Sequence, residues 1–113
     1  MPRVRSRQFE TFNDGVVKIF GIAESGEPKA KPEVSTRFSN RVVGEMQFFE
    51  AKAADVEISR RIRIPMYRNI DEDNKNRFFA EIEKKLYKIE RAQSYQDLIP
   101  PCTDLTLKFF RER

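Results

Sequence analysis

FFAEIEKKLYKIERAQSY, residues Phe78 to Tyr95, is the stretch on which the fold turns. Phe78, Ile82, Leu86 and Ile89 recur at steps of three and four, and the composition favours helix. Taken alone, this spacing predicts a helix opened by Asp71 or Asp73. Its surroundings read differently. Upstream, VEISRRIRIP (Val56 to Pro65) alternates: Val56, Ile58, Arg60, Ile62 and Ile64 share one face, and Glu57, Ser59, Arg61 and Arg63 share the other. That is a half-buried strand, ended by Pro65. Arg60 is the exception on its apolar face, which suggests an interface, a rim or an edge, or a side chain that snorkels outward. Downstream, two prolines in QDLIPP (Gln96 to Pro101) break the chain. CTDLTLKFFRER then alternates again, with Leu105, Leu107 and Phe109 opposite Thr106, Lys108 and Phe110.

Further out, GVVKIFGIA (Gly15 to Ala23) reads as a strand behind the turn signal Asn13-Asp14-Gly15. Val34 to Phe38 is a second strand candidate, and ESGEPKAKP (Glu24 to Pro32) between them is a loop. GEMQFFEAKAA (Gly44 to Ala54) has Met46, Phe49 and Ala53 at helical spacing and predicts a short helix. Tyr67 to Arg77 is loop-like. Its acidic run Asp71-Glu72-Asp73 fits a solvated turn or a helix start better than a cation site. Residues 1–13 read as a flexible basic arm.

The chain has 113 residues, so one domain spanning 1–113 is expected. Twenty-two Lys and Arg against 18 Asp and Glu give a net charge of +4, too mild and too interleaved for a dedicated nucleic-acid reader. The one concentration is Arg3, Arg5 and Arg7. No apolar run is long enough for a transmembrane helix, and no apolar stretch follows the basic N-terminus as in a signal peptide, so no membrane partner is expected. Cys102 is the single cysteine, which excludes an intramolecular disulfide and reads as a structural residue.

Histidine is absent, which removes the usual general base and the commonest metal ligand. The four glycines form no phosphate loop. No nucleophile has a base beside it in any known pattern, and Glu81 with Glu83 reads as a solvated pair. The sequence therefore points away from an enzyme and calls for no cofactor and no metal. Arg3, Arg5, Arg7, Arg60, Arg61 and Arg63 remain as candidate contacts to a partner or to DNA.

Two segments, Arg41 to Pro65 and Leu86 to Phe110, carry a resemblance. The residues are Asp14-Gly15, Arg41, Val43-Gly44, Phe48, Ala51, Glu57-Ile58 and Arg63-Ile64-Pro65. Tyr87-Lys88-Ile89, Gln93, Asp97, Pro100-Pro101 and Asp104-Leu105-Thr106-Leu107 complete the set. In order and spacing the chain resembles the small head-closure (head-tail connector) proteins of long-tailed bacteriophages. The resemblance implies a mainly β fold: a small β-barrel or sandwich of about five to six strands, with one short helix and long loops. It also resolves Phe78 to Tyr95 into strands with a turn at Lys84-Lys85. Tyr87, Ile89 and Arg91 then alternate with Lys88, Glu90 and Ala92.

The implied role is that of a virion structural protein. It assembles as a ring, often dodecameric, on the portal and its adaptor, closes the DNA-filled head, and offers a surface to the tail terminator or tail tube. Its place is the head-tail interface of the virion, after a period in the host cytoplasm. Loops 24–33 and 67–77 are the candidates to face packaged DNA. Exposed strand edges would allow strand addition between neighbours. A tail-terminator protein is the alternative within the class. A small basic nucleic-acid-binding module is the alternative outside it.

Overall fold

The computed structural model describes residues 9–41 and 60–113. The expected helix over Gly44 to Ala54, the first four residues of the strand expected from Val56, and Arg3, Arg5 and Arg7 lie outside the described residues.

Six antiparallel strands close into a barrel. They are β1 (Gly15–Gly21), β2 (Val34–Arg41), β3 (Arg60–Pro65), β4 (Phe78–Ile82), β5 (Lys85–Tyr95) and β6 (Cys102–Glu112). The order around the barrel is β1-β2-β3-β6-β5-β4, and β1 closes on β4. A single turn of 3-10 helix, Lys75–Arg77, precedes β4. The expectation of a small β-barrel with long loops holds.

Closure corrects one expectation about assembly. Among the described residues every strand is paired on both sides, so the barrel they form offers no open edge for strand addition.

The interior is filled by the period-two faces. Val17 and Ile19, Phe38, Ile62 and Ile64, Ala80 and Ile82, Tyr87 and Ile89, and Leu105 and Leu107 form one contiguous buried cluster. Burying each of the Val, Leu, Ile and Phe side chains among them contributes about 1.5–3 kcal/mol, which is how a chain of this length sustains a single core.

Phe78 to Tyr95 is two strands. Ile82 pairs with Lys85, so the connecting turn is Glu83-Lys84, one residue earlier than expected. Both turn residues have positive φ, +51° and +66°. That is the geometry whose twist suits a two-residue hairpin, here adopted without Asn or Gly. Helical spacing failed as a guide because the apolar residues of β4 and β5 straddle the turn. Within β4, Ala80 and Ile82 point inward at period two.

The expected alternation in β5 also breaks. Ile89 pairs with Leu107 and Arg91 with Thr106, so Glu90 is an inserted residue. Beyond this bulge Arg91 faces out and Ala92 faces in, the reverse of the sequence reading. A second bulge puts Phe110 between the pairs Leu86–Arg111 and Tyr87–Phe109. Such bulges bend and twist the two 11-residue strands, which helps them wrap a narrow barrel.

One end of the barrel carries segments 22–33, 66–77 and 96–101. Tyr67 donates a hydrogen bond to Glu33 Oε1 at 3.1 Å, tying the first two together. In the acidic run, Asp71 Oδ1 accepts from the backbone N–H groups of Asp73 (2.9 Å) and Asn74 (3.0 Å), which makes the run a turn. Glu72 reaches across to β5, where Oε1 accepts from the Ala92 N–H at 2.8 Å, just past the bulge.

That bond, with Lys75 and Arg91 adding weaker attraction, holds the Glu72 carboxyl below the usual Glu value. The contribution is therefore complete above the ordinary carboxylate range and fades as the pH falls through the lowered value. The Ala92 amide proton is expected to titrate in that acid window in an NMR series, and Glu72→Gln to remove the titration. A titration that survived the substitution would disprove the assignment.

Candidate functional site

The outer face of β2, β3, β6 and β5 is where the charged residues of β3 are placed. Register sets two rows across it. One runs Ser39, Arg63, Asp104, Gln93; the other runs Arg41, Arg61, Thr106, Arg91.

Arg63 is the centre of the first row and is only 8% exposed. Its Nε donates to Asp104 Oδ1 at 2.6 Å and its Nη2 to Asp104 Oδ2 at 3.0 Å. Nη1 donates to Glu10 Oε1 at 2.9 Å. The guanidinium carbon lies 5.4 Å from the Tyr95 ring centroid. The bidentate bond to Asp104 raises the Arg63 pKa above its ordinary value, burial opposes this, and Glu10 adds to it. This arginine is fully committed inside the protein.

The same ion centre fixes the N-terminal segment. Phe9 bridges to Ile99, Glu10 N–H donates to the Ile99 carbonyl at 2.7 Å, and Arg37 Nε donates to the Phe12 carbonyl at 3.1 Å. Residues 9–12 are thus laid along the barrel and are not part of a free arm, as the reading of 1–13 had it.

Arg60 faces inward with Ile62 and Ile64 but sits at the rim. Its guanidinium carbon stands 5.2 Å from the Phe38 ring centroid, and Nη2 donates to Asn40 Oδ1 at 2.9 Å. It covers the end of the core, one of the roles its position suggested.

Arg61 is different. Among the described residues its ion-pair partner is Asp104, 4.0 Å away and already doubly bonded to Arg63, and its Nε is buried without a partner. Of the three β3 arginines, Arg61 alone turns toward the open part of the outer face. Sequence reasoning missed its neighbours Arg41 and Arg91, because only strand register brings residues so far apart into one row. Nothing in the local sequence signals it.

Cys102 is buried. Burial pushes its thiol up, and Sγ donates to the Pro100 carbonyl at 3.1 Å, as befits a structural residue. Glu81 and Glu83 are not a working pair: Glu81 lies 3.4 Å from Arg113 Nε, and Glu83 belongs to the turn. Among the described residues no group of three or more Cys, Asp and Glu is placed to hold a metal ion, and no helix is long and apolar enough to cross a membrane. No protein-family model matches the chain, and no curated protein matches it.

Proposed function

We propose that the chain is a head-closure subunit of a long-tailed bacteriophage. In this reading it joins the portal-adaptor connector as a ring after genome packaging, closes the filled head, and supplies the surface on which the tail docks. What supports the reading is that several residues carrying the resemblance, scattered in sequence, are ones on which this barrel depends, while Val43-Gly44, Phe48, Ala51 and Glu57-Ile58 lie outside the described residues. Asp14 Oδ2 accepts from the Asn40 N–H at 2.7 Å. Gly15 lies under Phe38, Arg63 and Asp104 form the buried ion centre, and Leu105 and Leu107 fill the core. The closed barrel agrees with the expected architecture and leaves association to loops, termini and side chains. Heterologous contacts between such units can close into a ring.

The test uses tail-less, DNA-filled heads that carry portal and adaptor. Incubation with the purified protein, imaged by electron microscopy, is expected to add a ring of density at the portal vertex and to reduce DNA leakage. Attachment to isolated tail tubes instead, with none at the portal vertex, would transfer the protein to the tail-terminator class.

A further inference from the structure

The second row, Arg41–Arg61–Thr106–Arg91, is used neither by the core nor by the Arg63 ion centre. It crosses four strands, a span of about 14 Å at ordinary strand spacing. Arg41 stands directly opposite Arg61, an arrangement that costs stability when like charges have nothing between them. Beside the row, Lys108 pairs in register with Lys88, and Lys88 Nζ stands 4.7 Å from the centroid of the Phe110 ring. Arg41, Arg91 and Lys88 are exposed. Among the described residues, no ion pair joins Arg41, Arg91, Lys88 or Lys108 to an acid. The acids close to this face among the described residues are Asp104 and Glu10, both bound to Arg63, Glu90 in the bulge, and Glu72, which the Ala92 N–H holds near Arg91. Arg41, Arg61, Arg91, Lys88 and Lys108 outnumber the acids not already taken by Arg63, and they stand beside an orphaned guanidinium N–H.

We propose that this face binds the phosphate backbone of double-stranded DNA. Guanidinium forks match phosphate oxygens geometrically, and cations spread over about 14 Å of the sheet can reach several phosphates of a chain with one per ~3.4 Å of axis on each strand. An acidic protein fits less well. Specific protein interfaces centre on buried apolar anchors, whereas this band carries one exposed large apolar residue, Phe110, whose ring is stacked on Phe79. Among the described residues this face offers only Arg and Lys side chains standing on a sheet, so the binding is to backbone and independent of sequence. DNA binding here follows from the barrel's own register and does not require the head-closure role.

The experiment is fluorescence anisotropy with a short mixed-sequence DNA duplex, the isolated full chain, and a series of salt concentrations. Salt-dependent binding is expected. In Arg41→Gln/Arg61→Gln/Arg91→Gln, the log–log salt slope should fall by roughly 0.9 for each phosphate no longer neutralised, so by roughly 2 to 3. Arg61 is partly buried, so Arg41→Gln/Lys88→Gln/Arg91→Gln, made of exposed positions, repeats the test without touching packing. Lys29→Gln/Lys31→Gln/Arg68→Gln removes the same charge from loops at the far end and is expected to bind nearly as well as the parent. Absence of salt-dependent binding, or an equal loss in the loop variant, would overturn the proposal. Tighter binding of polyglutamate than of duplex would overturn it in favour of an acidic protein partner.

Discussion

Asp104→Ala is expected to lower the unfolding free energy by about 3 kcal/mol, toward the bottom of the ~3–5 kcal/mol range for breaking a buried ion pair from one side. Asp104 is 4% exposed and takes two hydrogen bonds from Arg63. Without it the guanidinium stays charged, since arginine cannot shed its proton in a protein, and it stays out of water. Glu10 remains at 2.9 Å, which is why the lower end of the range applies. For a domain with a typical total of ~5–15 kcal/mol this is a large fraction, equivalent to a melting-point drop on the order of 10–20 °C. The loss should spread to the N-terminal segment, since Glu10 anchors to the same guanidinium.

The companion Arg63→Met/Asp104→Leu removes the buried pair, leaves Glu10, whose side chain is 19% exposed, to turn to water, and is expected to recover most of the loss, because matched apolar replacements of buried pairs are often neutral or better. Urea denaturation of the single and double variants measures the coupling. A loss under about 1 kcal/mol for Asp104→Ala, well below the buried-pair range, would mean that water or Glu10 already solvates Arg63, and the account of the ion centre would fail.

That ion centre also marks the boundary of what the sequence could convey. Strict alternation in β3 and β6 is enough to place Ile62, Ile64, Leu105 and Leu107 inside, where they are found. The same alternation puts Arg63 on an exposed face, whereas it is buried beneath Glu10. Period two reports which side of a sheet a residue occupies and nothing about what covers that side. The bulge at Glu90 escaped for a related reason. It depends on pairing with a strand a dozen or more residues away, and it inverts the facing of everything after it, Arg91 and Ala92 first. Local apolar spacing in Phe78 to Tyr95 was ambiguous because a helix and a tight hairpin can both be built from residues three and four apart. Tertiary pairing with β1 and β6 decided it. The Arg41–Arg61–Arg91 row lies beyond local pattern altogether, being a product of register across four separate strands.

The second large effect is expected at the rim of the barrel. Phe38 has no exposed surface, and Arg60, held by Asn40 Oδ1, stands over its ring at the rim. Phe38→Ala should cost about 3–5 kcal/mol, the transfer free energy of the ring plus the cavity left behind, with the Arg60 stacking adding about 0.5–1 kcal/mol. Gly15 makes the site testable beyond a simple loss. Its φ is +147°, and a Cβ there would lie 2.9 Å from the Phe38 ring. Gly15→Ala is thus destabilising for two separate reasons, backbone strain and collision with the ring. In a Phe38→Ala background the collision disappears while the strain remains. The double variant is therefore expected to be more stable than the sum of the single losses predicts, by roughly 1 kcal/mol, within the usual range for contacting pairs. Strict additivity would show that Gly15 is required only for its backbone conformation. A coupling of the expected sign would show that the glycine is there to let the barrel close around an aromatic ring.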